Sequence, residues 1–261
     1  MKSENSMKTK KIEFENREGY KLSARFDEPD SGNIVQSVLF AHCFTCGKNL
    51  RAAGNISRAL TEKNIAVFRF DFTGLGESEG DFADSTFSSD VSDLVSAAEK
   101  MDELTNPPGI LIGHSLGGTA VLQAAKDIPS TKAVITIGSP CSPEHVTHHF
   151  DHKIDEIQSK GEATVQLAGR PFKVKKKFID DLKEQKMDET IRGLGKALMI
   201  FHSPVDRTVD ISNAAHIYKL ARHPKSFISL DDADHLLTSE KDSNYVGEVT
   251  AAWAGRYFCK S

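Results

Sequence analysis

The sequence predicts an α/β protein: a mostly parallel central sheet with helices on both faces. Short apolar runs alternate with segments whose apolar residues recur at helical spacing, and repeated strand–helix units argue for parallel strands under covering helices. Several runs are apolar throughout, as expected of strands buried on both faces. A chain of 261 residues is long enough to bury a full core without metals or disulfides.

After a polar lead, Lys11–Glu15 and Lys21–Phe26 read as a hairpin turned at Glu18-Gly19. Ser37–His42 is a buried strand, followed by a helix over Leu50–Glu62 and a strand over Ala66–Asp71. Val91–Leu104 has amphipathic helical spacing, with Ser88, Ser89 and Asp90 as N-cap candidates. Pro107-Pro108-Gly109 ends it. Ile110–Ile112 is a strand, Leu116–Asp127 a helix and Lys132–Gly138 a strand. The rhythm breaks from Cys141 to Gly195, a more polar stretch expected to hold two helices and a short hairpin around Gly169. Alternation resumes with Ala197–His202, Ile211–Arg222, Lys225–Leu230 and a final helix near Asn244–Cys259. The expected organisation is one core domain over 1–140 and 196–261, with 141–195 inserted as a cap over the sheet's working edge.

Composition narrows the function classes. Thirty-three basic residues against thirty-seven acidic ones leave a net charge of −4, without the basic excess of a duplex reader. No apolar run approaches the roughly 20 residues that span a bilayer. Met1–Glu15 has no apolar core, so no secretory leader is expected. Four cysteines do not make a disulfide framework. These features point to a cytoplasmic protein with reduced thiols.

The strongest local signal is Gly113-His114-Ser115-Leu116-Gly117-Gly118, a G-x-S-x-G pattern between a short strand and an apolar helix. A serine on so tight a turn needs small neighbours, here Gly113 and Gly117. His114 is expected to point away from the hydroxyl. The free N–H groups and dipole of the following helix favour a developing oxyanion.

A serine nucleophile needs a base, and the base an orienting carboxylate. On this architecture they follow in the order acid, then histidine. Asp206 follows the strand Ala197–His202, and His235 follows Lys225–Leu230. Both fall past the C-terminal end of a strand, where open α/β sheets place their sites. Asp210, Asp231, Asp232 and Asp234 compete with Asp206. His145, His148, His149 and His152 are expected in solvent or in cap contacts, and His202, His216 and His223 lie on the wrong side of the acid. The two oxyanion donors are expected to be the backbone N–H groups of Leu116 and of Phe44, in the loop His42-Cys43-Phe44-Thr45-Cys46-Gly47.

With these residues in order, the chain resembles the serine esterases of the α/β-hydrolase superfamily. Similar esterases carry His-Gly-Phe-Thr where this chain reads His42-Cys43-Phe44-Thr45. They carry an Arg-Phe-Asp-Phe-x-Gly-x-Gly-x-Ser strand end, matched by Arg69 to Ser78, and an Ala-Asp-His close, matched by Ala233-Asp234-His235. Cinnamoyl and feruloyl esterases look like this. A nearer resemblance is to the hydrolase half of proteins that fuse such a domain to an OsmC-type domain. The resemblance implies an α/β-hydrolase fold and a Ser115, Asp206, His235 triad. Cys43 stands where most relatives have glycine, so its side chain is expected to narrow the loop.

Cys43-x-x-Cys46 has redox or metal-ligand spacing, but no second pair completes a zinc set. Cys43, Cys46 and Cys141 are expected to pack as small apolar groups near the site, with a thiol switch of the oxyanion loop as the alternative. Gly74-Leu75-Gly76 lacks the last glycine of a dinucleotide fingerprint. Lys173–Lys177 reads as a solvated basic edge. The expectation is a carboxylesterase acting on small ester substrates, with no metal, cofactor, nucleic acid or membrane span. Monomer and homodimer both stay open. The alternatives are a thioesterase or other acyl hydrolase, or a non-hydrolytic, thiol-regulated binding module on the same fold.

Overall fold

A computed structural model describes residues 7–167 and 169–258. In chain order the strands are β1 (Lys8–Glu15), β2 (Lys21–Glu28), β3 (Gln36–Ala41), β4 (Ile65–Phe70), β5 (Ile110–His114), β6 (Ala133–Ile137), β7 (Glu162–Leu167), β8 (Arg170–Lys175), β9 (Ala197–His202) and β10 (Lys225–Ser229). The helices are α1 (Arg51–Thr61), α2 (Phe87–Leu104), α3 (Leu116–Ala124), α4 (Ile154–Lys160), α5 (Lys176–Glu184), α6 (Met187–Arg192), α7 (Ser212–Leu220) and α8 (Glu240–Phe258).

The main sheet has eight strands in the order β1-β2-β4-β3-β5-β6-β9-β10. β1 and β2 form the expected antiparallel hairpin, and β2 is antiparallel to β4. From β4 to β10 every neighbour is parallel. All residues of β4, β5, β6 and β9 are buried, which is why these strands read as unbroken apolar runs. Alternate side chains still serve opposite layers. Phe40, Ile112, Ile135 and Phe201 pack under α1 and α8, while Phe68, Leu111, Val134 and Leu198 pack under α2, α3 and α7. Among the described residues no helix is long and apolar enough to cross a membrane.

Some boundaries differ from expectation. α2 begins four residues before Val91. Its N-cap is Thr86, whose hydroxyl accepts from Ser89 N–H at 3.1 Å while Ser89 Oγ accepts from Thr86 N–H at 2.8 Å. Ser88, Ser89 and Asp90 are therefore first-turn residues, and Phe87 starts the buried face. α3 stops at Ala124, short of Asp127. α8 starts four residues before Asn244; Cys259, its expected end, lies outside the described residues.

Between β6 and β9 the chain forms two 3₁₀ segments, Pro143–His149 and Asp151–Lys153, then α4, the two-stranded β7–β8 hairpin, α5 and α6. The hairpin turns at Gly169 as expected, but there are three α-helices rather than two. Lys175 and Lys177 both pair with Asp84, and Lys173 pairs with Glu162. The basic run thus ties this segment to the loop before α2 at a solvated edge. Phe178 of α5 stacks on Phe44 at 5.5 Å between ring centres, and Phe172 meets Phe82 at 4.8 Å. These contacts seat the segment above the C-terminal ends of β3 and β4.

Candidate active site

Ser115 stands where β5 gives way to α3, at φ +54° and ψ −127°. A non-glycine residue occupies that region only when its surroundings impose it. Here they do: a Cβ on Gly113 would lie 2.2 Å from Gly117 O, and a Cβ on Gly117 would lie 2.4 Å from His42 O. Two glycines let strand, turn and helix close at this spacing, and the turn lifts Ser115 Oγ above the sheet.

The loops after β9 and β10 bring the other two groups to it. His235 Nε2 is 3.0 Å from Ser115 Oγ, and His235 Nδ1 is 2.7 Å from Asp206 Oδ2. Asp206 Oδ1 accepts from the backbone N–H groups of Thr208 and Val209 at 2.8 and 3.0 Å. Burial raises the Asp206 pKa, but the hydrogen bond from His235 and these N–H groups outweigh it and hold the carboxyl below its ordinary range. The ionised carboxylate only accepts, so the imidazole proton sits on Nδ1 and Nε2 presents its lone pair to the Ser115 hydroxyl. A hydroxyl so placed can lose its proton to Nε2 as Oγ attacks an electrophilic carbon.

Three further residues support the site: His114, expected from its place in the elbow to face away from the hydroxyl, and His202 and Gly138, which the sequence did not single out. His114 is buried beneath the base, and its Nε2 donates to the backbone oxygen of His235 at 2.6 Å. Burial, then the neighbouring His235 charge, push its pKa down to about 4. His202 Nε2 donates to Val209 O at 2.8 Å and so braces the loop that carries Asp206. Position relative to the acid set His202 aside; its place as the last residue of β9 was the usable signal. Gly138 (φ +54°) backs the acid–base pair, where a Cβ would approach Asp206 Oδ2 and His235 Nδ1 to 3.3 Å.

Two backbone donors expected at the site are unused, one in the first turn of α3 and one in the loop after β3. Neither Leu116 N–H nor Phe44 N–H makes a hydrogen bond among the described residues. Phe44 lies in a loop fixed from both ends. His42 Nδ1 donates to Cys43 O at 2.8 Å. At the other end Lys48, 1% exposed, donates from its backbone N–H to Asp71 Oδ1 and from Nζ to Asp71 Oδ2 at 2.5 Å. Arg69 Nη1 donates to Lys48 O.

The cysteines correct one expectation. Cys43 and Cys46 form a disulfide rather than two reduced thiols. The turn closed by Cys46 N–H on Cys43 O brings their Cα atoms to 5.3 Å, inside the normal range for a bridge. Cys141 stays free, with burial pushing its thiol pKa up. Of the cap histidines, burial lowers the pKa values of His145 and His149, followed by the charges of His148, His149 and His235 at His145 and of His235 and His148 at His149, while His152 is exposed. Among the described residues no cluster of side chains could hold a metal ion.

A family model described as serine aminopeptidase, S33, matches residues 34–191. The esterase domain of a Rhodothermus marinus protein is 47% identical, with a TM-score of 0.79 over 97% of this chain and 100% of that one. Est1E of Butyrivibrio proteoclasticus, solved with ferulic acid, has a TM-score of 0.78 over 95% of this chain and 100% of that one. At 20% identity it speaks for the fold alone. The human palmitoyl-protein thioesterase ABHD10 is 34% identical over 97 residues, which cover 37% of this chain and 30% of that protein. The family match covers the elbow, both early strand-end loops and most of the segment above them, on an eight-stranded α/β-hydrolase sheet. The chain belongs to the serine aminopeptidase S33 family, a family of esterase- and thioesterase-like α/β hydrolases.

Proposed function

We propose that the protein is a serine carboxylesterase acting on esters of small acyl groups. The observation that carries this reading is the line from Asp206 through His235 to Ser115, with both links within hydrogen-bond reach. Ser115 Oγ attacks the ester carbonyl carbon as its proton passes to His235 Nε2. The carbonyl oxygen becomes an oxyanion held by the Leu116 and Phe44 N–H groups. Collapse breaks the bond to the alcohol, which leaves with the proton from His235, and the acyl group stays on Ser115. Water then attacks the acyl-enzyme, giving its proton to His235, and the acid is released with Ser115 restored. The ionised Asp206 holds the imidazole tautomer and stabilises the imidazolium between these transfers.

The similarity to an esterase domain over nearly the whole chain supports oxygen esters. A thioester would follow the same steps with a thiol as leaving group, and the partial similarity to a palmitoyl-protein thioesterase favours testing one. The test is turnover of p-nitrophenyl acetate and butyrate by the wild type and by Ser115→Ala. The wild type turns both over, and the variant loses about three powers of ten or more while staying folded. Equal turnover in the two proteins would overturn the assignment.

A further inference from the structure

The loop after β3 turns back over Cys43-Phe44-Thr45-Cys46, where Cys46 N–H donates to Cys43 O at 3.1 Å. The disulfide joins the first and last residues of that turn. The two central residues of such a turn do not use their N–H groups to close it, and Phe44 N–H has no hydrogen bond among the described residues.

The direction of that N–H is nevertheless set. The peptide unit between Cys43 and Phe44 is planar and trans, so Phe44 N–H points opposite to Cys43 O. Cys43 O is held twice, by His42 Nδ1 at 2.8 Å and by Cys46 N–H. Whatever fixes Cys43 O therefore aims the proposed oxyanion donor. The first hold is rigid, because His42 is buried with its ring against Phe72. The second lasts only while Cys46 stays beside Cys43. Cys46 is half-buried, so water competes for its N–H, and the next anchored residue is Lys48. Other contacts hold the turn elsewhere: the Phe44 ring stacks on Phe178, and Arg170 Nη2 donates to Thr45 O. Neither acts on Cys43 O. A bridge across so short a loop constrains the unfolded chain little, so its effect is local to this turn.

We propose that the Cys43–Cys46 bridge positions the second oxyanion donor, so that turnover follows the redox state of this pair and a dithiol reductant lowers it. The inference rests on the esterase reading above. Cys43 is buried and Cys46 half-buried, so the reductant meets Cys46. A thiolate of the dithiol attacks Cys46 Sγ, the bond between the two cysteine sulfurs breaks, and Cys43 leaves as a thiolate that takes up a proton. The second thiolate of the reductant then attacks the reductant's own sulfur in the mixed disulfide. The reductant closes as a cyclic disulfide, and Cys46 is released and protonated. Two electrons and two protons pass from the dithiol to the pair. The turn is then closed by the Cys46 N–H bond alone.

Removing an oxyanion donor outright lowers kcat by about 10²–10³. Loosening one predicts a smaller loss, about ten-fold in kcat, with KM little changed. In the test, wild type is reduced with dithiothreitol, desalted under argon and assayed on p-nitrophenyl butyrate. Iodoacetamide mass mapping reports each thiol, and a fluorophosphonate reports Ser115. The loss is expected on reduction and is reversed when glutathione disulfide re-forms the bridge. Cys46→Ser, checked for folding by circular dichroism, is expected to stay at the reduced rate with or without dithiothreitol. Equal kcat in the two states, with the bridge shown open, would overturn the proposal. So would a loss carried by KM alone, a loss that re-forming the bridge does not reverse, or a folded Cys46→Ser protein that keeps the oxidised rate or still responds to the reductant. Free thiols at both positions after glutathione disulfide treatment would do the same. No turnover and no label on Ser115 in the bridged protein would instead overturn the esterase reading itself.

Discussion

His114 Nε2 donates a 2.6 Å hydrogen bond to the backbone oxygen of His235. The residue just before the elbow serine thus holds the chain of the residue proposed as its base. Both ends of the Ser115–His235 contact are thereby fixed by consecutive residues of β5 and the turn. His114→Phe keeps the ring volume and removes the donor, leaving the His235 carbonyl unsatisfied. Kinetics on p-nitrophenyl butyrate are expected to show kcat lower by about ten-fold or more with KM little changed, since an unmet buried carbonyl costs about 1–3 kcal/mol. An unchanged kcat would show that this bond does not position the base.

Asp206 binds both His235 and two backbone N–H groups. Asp206→Asn keeps the shape but lets the amide donate to Nδ1, moving the ring proton to Nε2, where it faces Ser115. Comparable changes elsewhere cost about ten-thousand-fold in kcat. A loss of that order at about pH 7, with an unchanged melting temperature, is the expected outcome. A loss under ten-fold would place the orienting acid elsewhere, with Asp234 the first alternative by sequence.

The protonation of His114 predicts a pH dependence of stability. Its folded pKa is pushed down to about 4 from 6.5, by burial first and the His235 charge second. The folded protein keeps it neutral while the unfolded chain protonates it below 6.5. Its contribution is therefore complete above pH 6.5 and lost as pH falls toward 4, by about 3 kcal/mol in all. His42 shifts the same way, again chiefly through burial. Asp206, held low, gives up its contribution only below the ordinary carboxylate range. Urea unfolding at about pH 7 and about pH 4.5 is expected to show a clear loss in the wild type and a smaller one in His114→Phe. Parallel losses in the two proteins would contradict the assignment.

Much of this site was legible because its chemistry leaves local marks. Ser115 needs Gly113 and Gly117 around it, a strand before and a helix after, and all are contiguous in the chain. Asp206 and His235 stand just past β9 and β10, so recognising two strands was enough to nominate them. The residues that were missed act through space. His202 was passed over because it does not touch the reacting groups, and its role is to hold a backbone oxygen of the loop that carries Asp206. Thr86 was missed as the α2 cap because the run Ser88-Ser89-Asp90 offers equally good local caps, and only the burial of Phe87 decides between them. The Cys43–Cys46 bridge was not expected because composition argues about a cellular compartment, whereas the turn between the two residues sets their distance.

The central claim, that Ser115 is a nucleophile activated by His235, is tested most directly by labelling the folded protein with a fluorophosphonate and mapping the adduct by peptide mass spectrometry. The account predicts a single adduct, on Ser115, formed in step with loss of p-nitrophenyl butyrate turnover and absent in Ser115→Ala. A folded protein that takes no label on Ser115, or that keeps full turnover once Ser115 is labelled, would contradict it and leave the chain a binding module on a hydrolase fold.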